Sequence, residues 1–73
     1  MTYQAVFGQG DDGWFTGHVP EIPGAVGMGP TLDEARKSLE KSVTVWIRDA
    51  VASGEEIPKP ALTITAPISI EAA

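Results

Sequence analysis

The 73-residue chain contains no cysteine, a single histidine, and few aromatic side chains: two Trp, two Phe and one Tyr. The missing cysteines exclude disulfides and thiolate zinc sites, and they leave His18 as the only good nitrogen ligand for a metal. Positive charge is scarce too, with five Lys and Arg against ten Asp and Glu, a net −5. Residues 1–30 carry Asp11, Asp12 and Glu21 and no Lys or Arg at all. That balance argues against nucleic-acid binding by this chain alone, because phosphate contacts need clustered cations. No apolar run is long enough to span a bilayer. Met1-Thr2-Tyr3-Gln4 lacks the basic start of a signal peptide. The expectation is a cytoplasmic, soluble protein with no membrane contact. A chain this small buries only about 60% of its unfolded surface. With disulfides excluded and no metal set in view, oligomerisation is the support left to it.

Hydrophobic residues make up 42% of the chain, enough for a small core. There is no internal repeat or linker, so residues 1–73 read as one domain. Residues 2–9 alternate, with Tyr3, Ala5 and Phe7 on one face, which predicts a strand. Gly10-Asp11-Asp12-Gly13 is a turn signal, and Trp14 to Val19 is a second strand, closing an antiparallel hairpin. The two prolines in Pro20-Glu21-Ile22-Pro23-Gly24 predict a bend, with a short third strand over residues 25–28.

Thr31-Leu32-Asp33-Glu34 fits a capping box at a helix start. Leu32, Ala35, Leu39, Val43, Trp46 and Ala50 then share one face, predicting a helix from Leu32 to Ser53. Asp33 with Lys37, and Arg36 with Glu40, make favourable i,i+4 pairs. Val45 and Ala52 fall on its back. Gly54 is the stop. Leu62, Ile64 and Ala66 alternate with threonines as a last strand, which Ile68 and Ile70 extend. The order is β-β-β-α-β: an α+β fold with one helix packed on a small antiparallel sheet.

Catalytic chemistry has little to work with. His18 could serve as an acid or base beside Asp12 or Glu21, but no nucleophile accompanies it by motif. Asp11, Asp12 and Glu21 lack the alternating ligand spacing of a calcium loop. Gly8, Gly10 and Gly13 spell Gly-x-Gly-x-x-Gly, yet a strand follows where a phosphate site needs a helix. Trp14 and Phe15 have no basic residues interleaved for stacking on bases. No cofactor or metal is implied, and no enzyme is expected. The acidic ends of the chain suit a basic partner reached by electrostatic steering, and Asp11, Asp12 and Glu21 are the candidate contact residues.

The stretch from Tyr3 to Pro60 resembles the HicB-type antitoxin domain of bacteria and archaea. Gly13-Trp14-Phe15 leads into Val19-Pro20-Glu21-Ile22-Pro23-Gly24, which is similar to that family's Pro-Asp-Leu-Pro-Gly signature. Gly29-Pro30-Thr31-Leu32-Asp33-Glu34-Ala35 resembles its Gly-Asp-Thr-x-x-Glu-Ala helix start. Trp46-Ile47 and the exit Gly54…Ile57-Pro58-Lys59-Pro60 complete the match. Glu21, Ala25 and Pro30 stand where the family usually has Asp, Cys and Asp. The resemblance implies a partial ribonuclease-H-like fold and a dimer or tetramer. It also implies a role without catalysis: masking a small basic RNA-cleaving toxin. Many relatives add a C-terminal DNA-binding module, and no basic segment follows the last predicted strand here, so operator binding is not expected. The alternative is an orphan homo-oligomeric domain with no toxin partner.

Overall fold

The computed structural model describes residues 2–60 and 66–71. Three antiparallel strands precede one helix: β1 (Val6–Gln9), β2 (Phe15–Val19), β3 (Ile22–Gly29) and α1 (Leu32–Ala52). The strands lie in the order β1-β2-β3, so among the described residues β1 and β3 are the edges. The predicted order is present through the helix. The predicted strand at Leu62 and Ile64 lies outside the described residues. Residues 66–71 form no helix or sheet pairing, so Ile68 and Ile70 do not extend a strand.

The β1–β2 hairpin closes as its residues dictate. Gly13 N–H donates to the Gly10 carbonyl at 3.0 Å, Gly10 N–H to the Trp14 carbonyl at 2.9 Å, and Trp14 N–H to Asp12 Oδ1 at 3.0 Å. Gly13 holds φ +85°, which a β-carbon would strain. The second hairpin departs from the expected bend. Val19 pairs directly with Ile22, so Pro20-Glu21 is a two-residue turn and β3 begins three residues before Ala25. Between the Val19↔Ile22 and His18↔Val26 pairs, Pro23, Gly24 and Ala25 have no partners on β2 and form a bulge, with Ala25 buried in the core. A proline is barred from a central ladder, but β3 is an edge and its bulge needs no N–H there.

Thr31 Oγ1 accepts the Glu34 N–H at 3.1 Å, half of the predicted capping box. At the other end Glu55 N–H reaches the Ala50 carbonyl at 2.8 Å and Gly54 N–H the Val51 carbonyl at 3.1 Å. With Gly54 at φ +74°, that is a Schellman motif, and the helix stops where glycine permits the left-handed turn. Ala35, Leu39 and Ala50 are buried and Val43, Trp46 and Ile47 half-buried, whereas Leu32 points into solvent. Leu32 sits in the first turn, beyond the reach of the sheet.

α1 lies over β3 and β2 and leaves β1 largely uncovered. The core is Val19, Ile22, Ala25 and Leu39, flanked by Tyr3, Phe7, Val43, Trp46 and Ile47. Ile22 is wholly enclosed, which stabilises the fold by about 1.5–3 kcal/mol for that side chain. Glycines set how closely the layers approach. A β-carbon on Gly27 would stand 2.6 Å from Leu39 Cα, and one on Gly29 would stand 2.9 Å from Ala35 N. On β2, Gly17 makes room for the Phe7 ring.

Candidate interaction surfaces

The three candidate acidic residues do not converge. Asp11 and Asp12 occupy the β1–β2 turn and Glu21 the β2–β3 turn, at opposite ends of β2. Asp12 spends one carboxylate oxygen on its own turn. Glu21 Oε2 is shielded from solvent with no hydrogen-bond partner among the described residues.

Between those two ends runs the sheet face turned away from the helix. Cross-strand pairing aligns Val6, His18 and Val26 in one row and Gly8, Thr16 and Met28 in the next. Val26 is 52% and Met28 54% exposed, and Trp14 adds an exposed ring at the turn end. No charged residue lies in either row. The face therefore mixes apolar side chains with Thr16 and His18 and carries no Asp, Glu, Lys or Arg in these rows, with acidic turns at both ends. His18 is exposed in the middle of it, and among the described residues no nucleophile or carboxylate bonds to it. Among the described residues no three His, Asp or Glu side chains are grouped to hold a metal. No described helix is long and apolar enough to cross a membrane.

The two sheet edges differ. On β3, Met28 N–H donates to Ser38 Oγ at 3.3 Å, and Ser42 Oγ donates to the Val26 carbonyl at 2.8 Å. Two helix serines thus satisfy two outer groups of that edge, and Pro23 brings no N–H to it. On β1 no described side chain does this. Beside β1 a groove of about 570 Å³ opens between the sheet and α1, lined by Tyr3, Phe7, Val43 and Ile47 together with Arg36 and Glu40. The Tyr3 hydroxyl donates to the Pro58 carbonyl, tying the chain after the helix to the start of the first strand. The predictions from sequence missed both the serine clasp and the groove. Ser38 and Ser42, spaced i,i+4 on a helix, were a readable signal for one contact line.

On the exposed helix face, Arg36 bridges Asp33 at 2.9 Å and Glu40 at 2.6 Å, and Lys37 reaches Asp33 at 3.2 Å. Hydrogen bonds from Arg36, then Lys37, hold the Asp33 carboxyl below its usual range. The hydrogen bond to Asp33 in turn raises Arg36.

The family described as HicB_like antitoxin of bacterial toxin-antitoxin system matches residues 3–69. UPF0150 protein Ta0767 of Thermoplasma acidophilum is 27% identical over 59 residues, covering 81% of this chain and 86% of that protein. UPF0150 protein ssl0738 of Synechocystis is 38% identical over 45 residues, covering 62% of each. No solved structure matches.

Proposed function

Because the chain belongs to the HicB-like antitoxin family of bacterial toxin–antitoxin systems, we propose that it masks a small basic RNA-cleaving toxin in the cytoplasm, without catalysis of its own. The family match over most of the chain carries this reading. The surface supports it in two ways. The open sheet face offers Val6, Val26, Met28 and Trp14 as an apolar centre, and Asp11, Asp12 and Glu21 place negative charge at its ends. A desolvated apolar centre inside a charged rim is the anatomy of a specific interface. The rim sign suits a basic partner and would speed its approach. His18 then packs against the partner rather than acting on a substrate. The protein self-associates, which offsets the thin core of so short a chain.

Affinity purification of the tagged chain from its native cells, with mass spectrometry of what co-elutes, tests the reading. A small basic protein in stoichiometric amount is expected. Recovery of the chain alone would overturn the toxin-masking role and favour an orphan oligomeric domain.

A further inference from the structure

We infer that the ridge of α1 centred on Val45 is a self-complementary contact, on which two copies of this chain pair helix to helix in antiparallel. The inference deepens the self-association reading above, on which it rests, and is independent of the toxin.

The helix row sets the pattern. Lys41, Val45 and Asp49 follow one another at i,i+4 spacing, so they form one ridge along α1. All three are exposed, Val45 at 56%. The ridge stands between two grooves. One, of about 430 Å³, lies against Gly24, Ala25 and Trp46. The other, of about 560 Å³, lies against Thr44 and Arg48. A ridge flanked by grooves is the surface by which helices pack on one another. Ser38 and Ala52, seven residues to either side of Val45, are small and hold no second helix at a distance.

Charge selects a second copy as the occupant. In the first half of α1, Asp33, Arg36, Lys37 and Glu40 pair among themselves. Lys41 and Asp49 enter no ion pair among the described residues, and the remaining residues bring no Asp, Glu, Lys or Arg. Their separation of eight residues is about 12 Å along the axis, too far for a bridge within one chain. Val45 occupies the position where either would find an i,i+4 partner. Asp49 is also ill placed alone. It puts a carboxylate in the last turn, at the negative pole of the helix dipole, where α1 has no basic residue. A second copy answers both. About a two-fold axis at Val45, antiparallel helices set residues equally far before and after Val45 against each other. Lys41 of each copy then meets Asp49 of the other. The two Val45 side chains meet at the centre, each beside the other's groove. By the same symmetry Arg48, on the outer flank, comes beside Glu40 of the second copy. The contact is isologous, so it closes at a dimer. It lies on the helix side of the molecule and leaves both sheet faces to the proposed partner.

Sedimentation equilibrium of the full chain tests the inference on the wild type, Lys41→Glu, Asp49→Lys and a 1:1 mixture of the two variants. The wild type is expected to dimerise. Each variant alone sets like charges against each other at both symmetry-related pairs, and is expected to dimerise about 30-fold more weakly. In the mixture the introduced glutamate faces the introduced lysine and the untouched pair stays opposite in sign, so a heterodimer near wild-type strength is expected. Both positions are exposed and their side chains make no described hydrogen bond or ion pair, so helical ellipticity stays unchanged. A wild type that is monomeric throughout overturns the inference together with self-association and leaves the toxin-masking reading intact. A wild-type dimer whose variants associate as tightly, or a mixture no stronger than the variants alone, overturns the helix pairing and leaves self-association standing.

Discussion

At the residue scale, the glycines of the helix-facing sheet surface are the most constrained positions. Gly27 stands against the Leu39 backbone, which cannot give way without moving the helix. Gly17 stands against the Phe7 ring, the far end of a side chain that can rotate. Gly27→Ala is therefore expected to destabilise by about 1–3 kcal/mol and Gly17→Ala by less. Urea titration of the two variants, read as the shift in midpoint, checks the order. A reversed order would place the tight contact on β2 instead. This constraint was hidden in the sequence. The alternation Ala25-Val26-Gly27-Met28-Gly29 announces a strand, but its apolar-looking members, Val26 and Met28, face solvent. The buried face carries the glycines, because a helix backbone rather than side chains fills the space above them. Composition alone would choose the opposite face.

At the element scale, the helix is the part most legible from local chemistry. Its N-cap, both predicted ion pairs and its glycine stop are where the residues put them, since each depends only on neighbours within about a turn. Thr31→Ala should lower stability by about 1 kcal/mol, read by thermal melting of the helical ellipticity. The ion pairs carry a pH signature. Asp33 sits below the ordinary 3.8 of an aspartate when folded, chiefly through the Arg36 hydrogen bond. Its stabilising contribution is thus complete above pH ~3.8 and is lost as pH falls through the lower folded value. Melting temperature should therefore drop on acidification below about pH 4, and Asp33→Asn should flatten that part of the profile. An unchanged slope would mean the bridges are solvent-screened to nothing. The strand β3 was harder to read. Prolines 20 and 23 predict a bend, yet one occupies a tight turn and the other an edge bulge. Which edges a sheet has is a property of the assembled sheet. The serine clasp belongs to the same class: in Ser38→Ala the Met28 amide should exchange with solvent faster than in the wild type, measured by hydrogen exchange. Equal rates would show that the clasp is not populated.

At the scale of the whole molecule, the proposed partner binding is tested through charge and the open sheet face. Reversing Asp11, Asp12 and Glu21 to Lys should slow association with a basic toxin and weaken its salt dependence, leaving dissociation less affected. Stopped-flow association at two ionic strengths measures both. Unchanged rates would remove the acidic ends from the interface. These three residues were singled out by their sign and their place in a cation-free stretch. Asp11 and Asp12 lie at one end of β2 and Glu21 at the other, as the predicted turn and bend already separated them.

The sequence by itself determined what depends on neighbours a few residues apart: the first hairpin, the helix with its caps and ion pairs, and the acid excess in residues 1–30. It also determined the family, because the Pro-x-x-Pro-Gly turn and the capped helix start are short patterns read in order. Only the tertiary structure decided which face of the sheet is covered, which edge is closed and where the groove opens. Those outcomes follow from laying a 21-residue helix over β3 and β2 at glycine-limited distance. That placement sets helix serines against β3's edge and leaves β1 largely uncovered by the helix, and no local pattern encodes the distance between layers.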